Sequence, residues 1–226
     1  MIVSHRHRFI FLKTRKTAGT SVEIALARIC GDDDVLTPIG DADAKVRFEF
    51  AGRDAQNIHV PWRRAVLGVV GARSIPQRRP VFYNHMPAAA ARALLGKEIW
   101  NSYFKFTIER NPFDRLISFY YFQNRGNANP PGFSEWLPHA KHPQNWPIYS
   151  IGQTVAVDYV IQYDQLGDGL AVIGERLGEA ILMPEYRAKA ATRQDRRPPS
   201  EFLTPADIEN VGRICKREIE YFGYQP

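Results

Sequence analysis

The feature that most constrains this chain is a change of pattern near its start. Arg8 to Leu12 is a compact apolar run with aromatic residues, as expected of a short buried strand. Lys13 to Thr20 is a polar loop containing a glycine. Ser21 to Ile29 then sets Val22, Ile24, Ala25 and Ile29 mostly on one side, and Cys30-Gly31 stops the helix. Strand, polar loop and helix in that order open many nucleotide-binding α/β folds. The helix N-terminus leaves backbone N–H groups unpaired and carries the positive end of the dipole, so it attracts phosphate.

The remaining segments fit an α/β class with a central parallel sheet flanked by helices. Pro87 to Leu95 is an Ala-rich helix, and Tyr103 to Ile108 is a second strand running into Glu109-Arg110-Asn111-Pro112. An aromatic-rich helix follows over Phe113 to Phe122, a third strand over Val157 to Gln162, and a helix over Leu170 to Leu177. Pro205 to Phe222 reads as one closing helix. Gly31 to Pro80 has weak periodicity and reads as an irregular insertion around the site, within one domain spanning 1–226. Gly126 to Pro147 reads as a loop or lid, and Arg187 to Ser200 as a basic loop.

Composition narrows the partners. A net charge of +6 and a pI near 9.4 favour an anionic ligand: a nucleotide, nucleic acid, a membrane surface or an acidic glycan. The two cysteines, Cys30 and Cys215, lie far apart without metal-ligand spacing, so reduced thiols and no metal are expected. No apolar run is long enough for a membrane span, which points to a cytoplasmic location.

Two segments carry the chemistry. In Lys13 to Ser21, Ala18 and Gly19 allow close backbone approach to an anion, Thr17, Thr20 and Ser21 offer hydroxyls, and Lys13, Arg15 and Lys16 supply charge. The plainer reading is a helix capped by Thr20 or Ser21 beside solvated lysines. The loop is not a Walker A motif, because Thr20 stands where that motif has lysine. In the second segment, Arg110 ends a strand and can fork onto a phosphate, while Ser118 on the next helix can donate a hydroxyl. Asp114 and Arg115 suit local structural pairing.

The run F-L-K-T-R-K-T-A-G-T-S resembles the 5′-phosphosulfate loop of the sulfotransferases that use 3′-phosphoadenosine-5′-phosphosulfate (PAPS), especially the carbohydrate branch. Arg15 stands where that family often has proline. Phe106 to Tyr120, with R-N-P at its centre, resembles the family's 3′-phosphate motif. The resemblance implies the nucleotide-kinase-like sulfotransferase fold, PAPS as donor without a metal, and transfer of a sulfuryl group to a hydroxyl of a carbohydrate or glycolipid. It implies Lys16 at the bridging oxygen of the phosphosulfate, and Thr17, Gly19, Thr20 and Ser21 on the 5′-phosphate. Weaker likeness extends over Val157 to Leu166 and Tyr221 to Tyr224. Lys189, Arg193, Arg196 and Arg197 stand where relatives carry a basic loop over the nucleotide, with Lys189 and Arg193 taken as contacts.

A hydroxyl nucleophile needs a base. His85, in Tyr83-Asn84-His85-Met86-Pro87 before a helix, stands where the carbohydrate branch often has a histidine. His139 and His142 are the alternatives, with Glu109 third. Trp136, Trp146, His139 and Asn145 suit a sugar face. Competing readings are a kinase-like phosphoryl transferase, a nucleotide-binding protein without turnover, and a nucleic-acid module stacking bases on Trp62, Trp136 and Trp146.

Overall fold

Period-two alternation in two short strands decides how the chain layers. In the computed structural model, which describes residues 1–59, 81–185, 193 and 195–226, β1 (Ile2–Ser4) and β2 (Phe9–Leu12) are wholly buried. Ile2, Phe9 and Phe11 face one core, and Val3, Ile10 and Leu12 face another. Both faces therefore need a helical cover.

Helix α1 (Gly19–Ala27) supplies Val22 and Leu26 to the first face. β3 (Val35–Leu36) and α2 (Asp41–Ala51) follow. Next, α3 (Ala88–Ser102) covers the second face with Ala88, Ala91, Leu95 and Trp100. β4 (Phe104–Glu109) leads into α4 (Pro112–Gln123). Two short helices, α5 (Phe133–Trp136) and α6 (Trp146–Tyr149), precede the hairpin β5 (Ser150–Ile151) and β6 (Thr154–Val155). β7 (Tyr159–Gln162) passes through a 3₁₀ turn into α7 (Leu166–Leu177), which adds Leu170 and Ile173 to the first face. The chain closes with α8 (Pro199–Phe202), α9 (Pro205–Ile214) and α10 (Lys216–Phe222). A third core joins Phe113, Leu116 and Ile117 of α4 to Phe133 and Val211.

The main sheet has the order β3-β1-β2-β4-β7. β2, β4 and β7 run parallel, with Phe9 opposite Phe104 and Phe106 opposite Tyr159. β1 runs antiparallel to β2 and β3, so the sheet is mixed around the expected parallel centre. Because β2, β4 and β7 are parallel, their carboxyl ends share one edge. The loops leaving Leu12, Glu109 and Gln162 gather there, at the place where open α/β sheets bind ligands.

Several boundaries differ from the sequence expectation. The segment 31–80 holds β3 and α2 among its described residues. Helix α2 buries Asp43 and Arg47 rather than an apolar stripe, so it shows no helical hydrophobic period. Helix α3 runs past Leu95 through a kink at Gly96, whose φ is 82°. The closing helix is two helices, broken at Cys215, with Thr204 and Asp207 forming a capping box at the first. Cys30 and Cys215 are both buried free thiols. No helix among the described residues is long and apolar enough to cross a membrane.

Candidate active site

The three loops at the shared edge wall a cavity of about 1220 Å³. Residues 13–21 form one side, Arg110 and Ser118 another, and Tyr163 follows β7. His85, Arg193 and Arg196 complete the parts that bear on chemistry. The structure therefore brings together every residue expected to hold the donor or act as first-choice base except Lys189, which lies outside the described residues.

Residues 13–21 are pinned at their root. Thr107 donates its hydroxyl to the Leu12 carbonyl at 2.6 Å, and the Thr14 hydroxyl meets that of Thr17 at 2.8 Å and donates to the Ile108 carbonyl. Above this root the backbone leaves common conformations: φ is 63° at Lys16 and 57° at Ala18. For residues with a Cβ the left-handed region costs roughly 1–2 kcal/mol each, and such strain clusters where a ligand is clamped. Left-handed turns of this kind bring amides together into anion-binding concavities. Helix α1 starts here at Gly19, and Ala18 gives it no side-chain cap. A helix start with no capping side chain at this position is a place where an anion can take the role of the cap. The expected caps, Thr20 and Ser21, lie inside the helix instead. Gly19 is fixed by space: a Cβ there would fall 2.8 Å from Cγ of Lys13.

The two lysines of this loop do different work. The Lys13 ammonium, 3% exposed, pairs with Glu23 at 2.7 Å. Glu23 also holds the Met1 amine at 2.8 Å and accepts from Thr37 at 3.2 Å. Burial alone would raise the Glu23 carboxyl, but Lys13 and the amine hold it down to about 2. The charge of Lys13 is therefore neutralised by Glu23 inside the fold, while the residue still borders the cavity. Lys16 is half-buried at the cavity wall, its ammonium 4.3 Å from the Phe122 ring centre.

On the second side, Asn111 caps α4 by accepting from the Phe113 amide at 3.1 Å, and Pro112 takes the first helical position. That geometry lets Asp114, one turn from Arg110, bind its Nε at 2.6 Å. Arg193 approaches the other oxygen of Asp114. One carboxylate thus holds two guanidinium groups at the cavity wall. Arg110 also lies 4.3 Å over the Tyr163 ring and donates to the Lys16 carbonyl at 3.2 Å. Ser118 sits two turns along α4, lining the same cavity. Arg115 turns inward, fully buried against Glu218 at 3.2 Å and the Pro143 carbonyl at 3.1 Å.

His85 sits just before α3 with φ of 60°. Its Nδ1 is 2.9 Å from the Lys13 carbonyl. A carbonyl only accepts, so Nδ1 carries the proton and Nε2 keeps the lone pair. Burial lowers the imidazole, and the charges of Lys13 and Arg15 add to this against the hydrogen bond, giving a value of about 4. The ring is neutral near pH 7. His142 is half-buried beside Trp136 and His139 is exposed, and neither lines this cavity. Glu109 is fully buried behind the loops, its carboxyl raised by desolvation despite Arg115.

The sugar face read from composition is not assembled. Asn145 and Trp146 are buried, Trp146 against Tyr149 and Tyr221. Trp136 packs into a cluster with Tyr120 and Phe133, and Trp62 lies outside the described residues. The stacking surface required of a nucleic-acid module is absent among the described tryptophans. Sequence reasoning passed over Tyr163, although its place after the third parallel strand matches those of Lys13 and Arg110. It also missed Glu23 as the partner of Lys13 and Asn145 as a clasp on Arg15, which only the folded chain brings together.

Neither a curated protein nor a solved structure matches the chain. The model of the sulfotransferase family matches residues 1–225, taking in both loops that wall the cavity, the histidine before α3 and every strand of the sheet. With that match across nearly its whole length, the chain belongs to the sulfotransferase family, transferases that place a sulfuryl group on a hydroxyl-bearing acceptor.

Proposed function

We propose that the donor is PAPS and that the acceptor is a hydroxyl of a carbohydrate or glycolipid. The observation that carries the donor assignment is the presence of two anion-receiving stations in one cavity. One is the uncapped start of α1 with its left-handed residues Lys16 and Ala18. The other is the Arg110 and Arg193 pair with Ser118. A nucleotide phosphorylated at both 5′ and 3′ positions needs two such stations, whereas ATP needs one continuous one. The carbohydrate assignment rests on the likeness of residues 11–21 and of the His85 position to that branch. Phe119, which lines the cavity, offers apolar surface to a sugar ring.

PAPS supplies an activated sulfuryl group. Residues 16–21 would bind its 5′ end, and Arg110, Ser118 and Arg193 its 3′-phosphate. His85 Nε2 would take the proton of the attacking hydroxyl as the new oxygen–sulfur bond forms. Lys16 would balance the charge left on the departing phosphate oxygen. Arrangement and fixed charge do most of this work, as in phosphoryl transfer.

Calorimetric titration with adenosine 3′,5′-bisphosphate (PAP), against ATP and AMP, tests the donor. Selective PAP binding that falls at least tenfold in Arg110→Ala, with AMP binding little changed, is the expected outcome. A preference for ATP with magnesium would instead favour the kinase-like reading.

A further inference from the structure

Asn145 makes an unusual set of contacts for a buried side chain. It is fully buried, 130 positions from Arg15, and its amide grips both polar groups of the Arg15 backbone. Oδ1 accepts from the Arg15 N–H at 2.9 Å, and Nδ2 donates to the Arg15 carbonyl at 3.1 Å. Nδ2 also donates to Glu109 Oε1 at 3.2 Å, and that same oxygen accepts the Arg110 backbone N–H at 2.9 Å. Arg15 immediately precedes Lys16, and Arg110 belongs to the opposite anion station. One amide and one carboxylate therefore join the backbones of the two loops through four hydrogen bonds.

A purely structural asparagine would satisfy a single turn or fasten one loop to the core. This one bonds the 13–21 loop on one side and the residue preceding Arg110 on the other. Arg115, whose Nε lies 3.9 Å from Glu109 Oε1, backs the carboxylate from below. The clasp acts at the peptide units of Arg15 and Arg110, where a small rotation would redirect the amides and guanidinium around a bound anion.

We propose that Asn145 is a positioning residue which, through Glu109, holds the two anion stations in one register, so that occupation of one prepares the other. The inference rests on the PAPS reading above. It predicts that Asn145 matters most for a ligand engaging both stations at once. A ligand with one phosphate needs only one loop in place.

The test compares three ligands by calorimetry: AMP for the first station, adenosine 3′-phosphate for the second, and PAP for both. In Asn145→Ala, PAP binding should weaken at least tenfold more than binding of either monophosphate. Asn145→Asp serves as the second variant, because it keeps the acceptor for the Arg15 N–H while placing a carboxylate oxygen against Glu109. Equal weakening of all three ligands would reveal a merely structural residue and overturn the proposal. PAP weakening only as much as AMP would do the same, reducing Asn145 to an anchor of one loop. The unaltered protein gives a check that needs no variant. Adenosine 3′-phosphate should slow hydrogen exchange at the Arg15 amide, and unchanged exchange would refute the coupling. If the unaltered chain fails to select PAP, the donor reading falls and this inference with it. If PAP is selected but the ligand ratios do not move, only this inference fails.

Discussion

Lys13 and Lys16 stand three positions apart in one loop, yet Lys13 pairs with Glu23 inside the fold while Lys16 stands at the cavity wall, and replacing each with methionine separates the tasks proposed for them. Lys13 is 3% exposed and Glu23 0% exposed, with 2.7 Å between charged atoms. Breaking such a pair by removing one partner typically costs about 3–5 kcal/mol, because the remaining charge stays buried. Against the cost of burial, Lys13 and the Met1 amine together hold the Glu23 carboxyl near 2 instead of its ordinary 4.5, and at 1.36 kcal/mol per unit this joint effect is worth roughly 3 kcal/mol. A depressed carboxylate stabilises the fold fully above pH 4.5, and the contribution is lost as pH falls from there through 2. The Met1 amine and Thr37 stay beside Glu23 in Lys13→Met, which favours the lower end, about 3 kcal/mol. For a chain of this length the melting temperature should drop by roughly 6–12 °C. Lys16→Met should melt close to the unaltered protein but lose PAPS-dependent transfer. Thermal melts by circular dichroism, paired with PAP titration and a PAPS-dependent transfer assay, read both properties. A Lys13→Met protein that melts normally and fails to bind PAP would refute the division of roles.

His85→Ala should abolish turnover while leaving PAP binding within about threefold, as expected when a base that contacts the acceptor is removed; near-normal turnover would discard the base assignment. Since burial keeps His85 neutral down to about 4, the acid limb of kcat/KM, which reports the free enzyme, should fall as pH drops through that value. An acid limb near 6.5 would place another group in the role. Gly19→Ala sets a methyl 2.8 Å from Lys13 Cγ, and such overpacking costs about 1–3 kcal/mol. Urea denaturation should show that loss, and an unchanged midpoint would mean that the loop yields.

The parts legible in the sequence were those whose cause is local. The switch from an apolar run to a glycine-bearing loop to a helix marked the edge of β2, and the aromatic-rich run from Phe113 to Phe122 marked the body of α4. What stayed hidden depends on distant partners. Nothing near Lys13 reveals that its charge is neutralised by a residue one turn into α1. Helix α2 could not be read from periodicity because its buried face carries Arg47, which donates to the Thr37 carbonyl at 3.0 Å. Asn145 and Trp146 look like surface residues by composition, and their burial follows only from distant partners: Asn145 bonds Arg15 and Glu109, and Trp146 packs against Tyr221.

These hidden contacts share a physical pattern. Along β4, Phe106 and Ile108 face the apolar core with α1, while Lys105, Thr107 and Glu109 face the other way. All three polar side chains are buried, so each requires a partner. Lys105 pairs with Asp158 at 2.9 Å, Thr107 donates to the Leu12 carbonyl, and Glu109 receives Asn145 and the Arg110 amide. Each partner belongs to a neighbouring segment: the approach to β7, the end of β2, and the loops around the cavity. Lys105 ties the amino end of β4 to the approach to β7, while Thr107 and Glu109, toward its carboxyl end, fix the neighbouring segments at the edge that bears the cavity. A substitution there should alter donor recognition even where it never meets the donor. The same face explains why the site is assembled from segments more than a hundred residues apart in sequence yet meets around a single cavity.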